Sequence, residues 1–143
     1  FGGVDGQLRG YLVGKRAMLA ARVGGRQVWG EYPWFEAAFI GGGRTVRGLP
    51  MGRYEGNQAV FANLDLRLRV SRVTFVLPWD FGVLGLADLG RVFVDGEQSD
   101  TWHPSFGGGL WAALLDRSLA ASLNVATGAG QGIFINAGGG FTF

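Results

Sequence analysis

Cysteine is absent from this chain of 143 residues, which excludes disulfides and thiolate-held metals and leaves the compartment open. Charged side chains make up only 17%, below the roughly one-quarter usual in soluble domains. Lys and Arg exceed Asp and Glu by two, 13 against 11, and the Arg residues are spread along the chain. That balance gives no basis for a nucleic-acid partner. No apolar run reaches the roughly 18 residues of a membrane helix; the longest candidate, residues 81–89, is interrupted by Gly82, Gly85 and Asp88. The start, Phe1-Gly2-Gly3, has no initiator Met, charged n-region or apolar h-region. No signal peptide is expected there, and the chain reads as processed or trimmed.

Catalytic patterns are also missing. The single histidine, His103, lies near a Trp and a Pro, with no acidic cluster beside it; such a residue is expected at a surface or strand end. Ser105, Ser118 and Ser122 lack a nucleophile elbow or triad spacing. The glycine runs 107–109 and 138–140 are followed by no Lys-Ser/Thr pair, so they are not phosphate loops. The expectation is a non-enzyme with no cofactor and no metal site.

What is present is glycine (27 residues), apolar side chains (48%) and aromatics (13%), arranged with a period of two. Over residues 58–70, Val60, Ala62, Leu64, Leu66, Leu68 and Val70 share one parity, and Ala59, Phe61, Asn63, Asp65, Arg67 and Arg69 the other. That is a strand with one apolar and one largely polar face. Residues 16–26 repeat it, with Ala17, Leu19, Ala21 and Val23 against Arg16, Met18, Ala20 and Arg22. Residues 117–127 place Leu119, Ala121, Leu123 and Val125 against Ser118, Ser122 and Asn124, and residues 133–143 alternate to the end. Segments 6–14, 79–95 and 103–115 complete a count of seven strands in one domain, 1–143. Turns are expected at 14–15, 71–72, 95–96, 116–117 and 128–130. Residues 31–40 could supply an eighth strand, though Pro33 limits it. Helix is disfavoured by glycines inside nearly every segment, at about 1 kcal/mol each.

Alternation alone does not separate a soluble β-sandwich from a membrane barrel, since a barrel exchanges which face meets solvent but keeps the period. Three features favour the barrel. The faces opposite the apolar rows are rich in small residues. Trp29, Trp34, Trp79, Trp102 and Trp111 fall at or near strand ends, where an interfacial girdle would sit. The chain also stops on an aromatic in an alternating strand.

Residues 39–57, FIGGGRTVRGLPMGRYEGN, break the alternation. Here Gly42-Gly43-Arg44-Thr45-Val46-Arg47-Gly48-Leu49 resembles the GG-x-x-[ST]-[LVI]-R-G-[FY] loop motif of the BamA/TamA assembly-factor superfamily, the bacterial surface-antigen family. It departs only at Leu49, where the family has an aromatic. The following Arg53-Tyr54-Glu55-Gly56-Asn57 and the five strands downstream of the loop are similar too, so the resemblance runs along essentially the whole chain. It implies an antiparallel transmembrane β-barrel of roughly sixteen strands in the outer membrane, of which this chain is the C-terminal portion. It further implies that the Val46-Arg47-Gly48 loop folds into the lumen and that Arg47 meets acids on the next two strands, a role falling to Asp65 and Asp88. Both sit on the polar parity of their strands, and a buried Arg needs such partners. The final strand, with Phe141 and Phe143, resembles the C-terminal signal read by the outer-membrane assembly machinery.

The strand count bears on size. An eight-stranded barrel is filled by its own side chains and would not admit the loop. Either the chain is half of a wider barrel, or it forms a small barrel with the loop elsewhere; the lack of an N-terminal start favours the first. The resemblance implies insertion or translocation of outer-membrane proteins. Its partners would be the lipid bilayer, the assembly machinery, client proteins, or barrel strands from the rest of the protein or another chain. The alternative is a passive anchor or pore for an upstream passenger.

Overall fold

The structure, a computed structural model, describes residues 1–96, 101–114, 119–128 (Leu119 by its backbone alone) and 132–139. Nine strands form in chain order: β1 Gly2–Val13, β2 Ala17–Trp29, β3 Ala38–Ile40, β4 Tyr54–Gly56, β5 Gln58–Phe75, β6 Leu77–Phe93, β7 His103–Leu114, β8 Leu119–Gly128 and β9 Ile133–Gly139. Seven of them make one antiparallel sheet in the order β1-β2-β5-β6-β7-β8-β9, and β3 pairs with β4 in a separate ribbon. The fold is all-β. The large sheet is open: among the described residues β1 and β9 are its edges and do not pair with each other.

The two-residue period assigns each strand's side chains to two faces, and the register aligns like with like across the sheet. One row runs Ala21, Leu64, Ala87 and Phe106 through successive cross-strand partners. The row behind it runs Arg22, Asn63, Asp88 and Ser105. The face carrying the polar row is the covered one. Asp65 and Arg67 are 0% and 1% exposed, whereas Leu64, Leu66 and Leu68 between and beside them are 45%, 43% and 42% exposed. The apolar row therefore faces out, the inverse of a water-soluble core. What covers the polar face is the long β2–β5 connection, residues 30–57, together with a cluster of Leu84, Leu86, Trp111, Ala113 and Ala126 on the sheet itself.

Several expectations are corrected. No turn forms at Ser71-Arg72. Strands β5 and β6 continue as a hairpin to Phe75 and Leu77, with the reversal at Val76. The alternation breaks there because a bulge between Arg69 and Ser71 shifts the parity: Leu68 faces out before it, and Ser71, Val73 and Phe75 occupy that row after it. Residues 31–40 are no eighth strand of the sheet; they hold a 3-10 turn at Trp34–Glu36 and then β3. Trp111 is not part of an outward girdle. It is buried on the polar face, opposite Gly82, where a side chain at position 82 would collide with its indole, and its Nε1 donates to the Val83 carbonyl at 3.2 Å. Trp29, Trp34, Trp79 and Trp102 are exposed. The Leu119 side chain, the turns at 116–117 and 129–130, and Phe141 and Phe143 lie outside the described residues.

Candidate functional site

The β2–β5 connection closes on itself before it meets the sheet. Gly41 and Gly42 adopt φ of 123° and 90°, a region other residues rarely enter. The Gly41 amide donates to Thr45 Oγ1 at 2.7 Å and the Gly42 amide to the Leu49 carbonyl at 2.9 Å. These bonds pinch residues 42–49 into a compact tip held on the β3–β4 ribbon. Ile40, Val46 and Leu49 bury together with Ala38 and Ala59. Leu49, where the resembled family has an aromatic, thus serves as a core residue. Tyr54 of β4 stacks on His103 at the start of β7, ring centroids 3.8 Å apart, and the Arg53 guanidinium lies over the Tyr54 ring, 4.8 Å from its centroid. His103 is a strand-end residue tethering the ribbon to the large sheet.

The tip meets the polar row residue by residue. Val46 packs into the space left by Gly90 on β6: a side chain at position 90 would come within 2.6 Å of Val46 Cγ2. Arg47, 4% exposed, sends its Nε to Asp88 Oδ2 at 2.8 Å, and its Nη2 to Asp88 Oδ1 at 2.5 Å and Asp65 Oδ1 at 2.6 Å. Its backbone N–H donates to Asp88 Oδ2 as well, at 2.8 Å. Burial works against the Arg47 charge, but hydrogen bonds and charges from Asp88 and Asp65 outweigh it and hold the guanidinium above its ordinary pKa. Gly48 lies directly on β7 and β8. A Cβ there would collide with Ser105 Oγ and the Thr127–Gly128 backbone, and the Gly48 carbonyl accepts from the Gly128 N–H at 2.9 Å.

Two further residues complete the contact, and the sequence reading had given them no role. Arg22 of β2 donates from Nε and Nη2 to Asn63 Oδ1, at 2.9 and 2.6 Å, and from Nη2 to the Arg44 carbonyl at 2.6 Å. Asn63 donates from Nδ2 to the Thr45 carbonyl at 2.5 Å and to Asp88 Oδ1 at 2.8 Å. Two guanidiniums, two carboxylates and one amide therefore form a single buried network joining the loop to β2, β5 and β6. Arg22 was visible as the polar-parity residue of its strand. Its alignment with Asn63 and Asp88 depends on register, which single-strand alternation does not reveal. The network holds no nucleophile poised beside a base; its chemistry is that of a charge-paired fastening.

No protein-family model, curated protein or solved structure matches this chain.

Proposed function

We propose that the chain is part of the wall of an outer-membrane β-barrel whose loop is fastened inside the lumen by Arg47, and that this barrel takes part in inserting or translocating outer-membrane proteins. The observation that carries the membrane reading is the inverted partition. The rows of β5 and its neighbours facing away from the loop are apolar and exposed, while Arg22, Asn63, Asp65, Arg67 and Asp88 are buried on the other face. A bilayer would cover the first face and a lumen would hold the second. The edges β1 and β9, which do not pair with each other among the described residues, call for more strands, which the rest of the protein or another chain would supply, since bacterial single-chain barrels close with even counts. A barrel that wide also leaves room for the docked loop.

Insertion or translocation rests on the motif resemblance together with the fastening geometry. The complete protein in bilayers tests it, with Arg47→Ala as the variant and refolding of a client barrel as the readout. Slower client folding while the variant itself stays inserted supports the reading. Client folding equal to a protein-free bilayer, in wild type and variant alike, leaves the passive anchor or pore.

A further inference from the structure

We propose that the lumen end opposite the docked loop admits anionic solutes in preference to cations, a role that rests on the barrel-wall reading and adds a cargo class to it. Bases are spread along the sequence, but the fold sorts their surplus to one end. The β1–β2 turn holds Lys15 and Arg16, both exposed. Beside it, Met18 is the cross-strand partner of Arg67, and the Arg69 amide donates to the Arg16 carbonyl at 2.8 Å. Past the bulge, Arg72 stands opposite Asp80 on the arm that reverses at Val76. Among the described residues of this end, these five bases meet one acid, Asp80, which leaves a surplus of four. Asp116 and Arg117, adjacent in sequence and outside the described residues, cancel formally. Elsewhere the described charges balance. Arg22 and Arg47 offset Asp65 and Asp88, and Asp5 offsets Arg9 on β1. Arg47 apart, residues 26–57 and 91–96 carry four bases and four acids.

The face on which this surplus lies decides what it can attract. Arg67 and Asp80 are buried on the face opposite the apolar rows. Asp80 accepts from Arg72 Nε and Nη2 at 2.7 and 3.0 Å and lies 3.8 Å from Arg69 Nη1. One carboxylate between two guanidiniums leaves one positive charge and holds both cations along the inner wall. Their field therefore enters the lumen rather than the headgroup layer. A passage lined by charge of one sign, with low-dielectric walls around it, concentrates the opposite ion, as basic rings do in anion pores.

The test measures ion selectivity of the complete protein in planar bilayers of neutral phosphatidylcholine under a potassium chloride gradient. Wild type should pass chloride in preference to potassium. The preference should be strongest near 0.01 M salt, where the Debye length is about 30 Å, and fade near 1 M, where it is about 3 Å. Lys15→Glu combined with Arg16→Glu takes the surplus at this end from four to none, so the preference should vanish. Both side chains are exposed in the turn, and the bond from Arg69 reaches only the Arg16 backbone, so thermal unfolding should match wild type. The milder Lys15→Gln with Arg16→Gln should fall between. An open pore that favours potassium, or a chloride preference untouched by the double reversal, overturns the anion mouth alone. Unchanged selectivity with weakened binding to phosphatidylglycerol vesicles assigns the cations to headgroups and overturns it as well. No conductance in wild type or in Arg47→Ala, whose loop fastening is broken, removes the barrel lumen together with it.

Discussion

Arg22 and Asn63 are direct partners across β2 and β5, and the Arg22 guanidinium grips Asn63 Oδ1 from Nε and Nη2. That grip orients the amide, leaving Nδ2 aimed at the Thr45 carbonyl and at Asp88. The loop is thus held through its backbone as well as through Arg47. Replacing Asn63 by Leu keeps the volume but strips partners from the buried Arg22 guanidinium, the partly buried Thr45 carbonyl and the buried Asp88. Unmet buried groups cost about 1–3 kcal/mol, so Asn63→Leu should lower the temperature at which the protein unfolds. Arg22→Met in the same background should add little, because the two act as one unit. Fully additive losses would show that the pair does not work through a shared bond.

Val76 makes the sharpest backbone conflict. It sits at φ of 63°, where a β-branched residue is a true outlier, and it is 89% exposed, so its side chain has almost no packing to lose. Val76→Gly should therefore stabilise the β5–β6 hairpin, by about 1 kcal/mol after the extra freedom of glycine in the unfolded chain is counted. Thermal denaturation of the complete protein measures it. A loss of stability would mean that the valine side chain is engaged by something.

The outward row gives a depth-dependent prediction. Leu66→Arg should cost about 2–4 kcal/mol if the residue lies near the bilayer midplane. The same substitution at Leu12, near the turn end of β1, should cost less because the charge reaches the interface. Reversible folding into vesicles gives both numbers. Equal and small costs would place the row in water.

Most of the large sheet was legible because each strand repeats a two-residue period that survives without knowledge of its neighbours. The part that failed did so for a definable reason: one bulge beside Val70 exchanged the faces, so a single long strand imitated a strand end followed by a turn. Trp111 was misplaced because its row is only visible once Gly82 is known to stand opposite. The motif pointed to Arg47, Asp65 and Asp88, whereas Arg22, Gly90 and Ser105 belong to the contact only through register. A sequence shows which residues share a strand face; it does not show which residue the next strand brings alongside.

Register predicts how the loop's two glycine contacts behave. Gly48→Ala would push against the Ser105 hydroxyl and the β8 backbone, and backbone does not yield. The loop should lift, exposing the buried Arg47 to trypsin in the otherwise folded protein. Gly90→Ala meets Val46 instead, a side chain that can be shortened. Val46→Ala should therefore restore protease resistance to Gly90→Ala but not to Gly48→Ala. Rescue of both, or of neither, would mean that the tip does not seat as described.

The fastening itself is tested by a mutant cycle on Arg47, Asp65 and Asp88. Removing the guanidinium leaves two buried carboxylates near each other, with Arg22, Asn63 and the charge of Arg67 to relieve them in part. Breaking a buried pair from one side costs about 3–5 kcal/mol, and water reaching the vacated site would bring Arg47→Ala toward the lower end. Arg47→Lys should recover only part of the loss. An ammonium lacks the planar fork that here contacts both Asp88 oxygens and Asp65 together. Converting Asp65 and Asp88 to Asn in the Arg47→Ala background removes the stranded charges, so some resistance to heat and detergent should return. The double Asn variant with Arg47 intact should be the less stable of those two, since it strands a buried cation instead. If the three substitutions act independently, the short contacts contribute no coupling, and the loop must be held by Val46, Leu49 and the backbone alone.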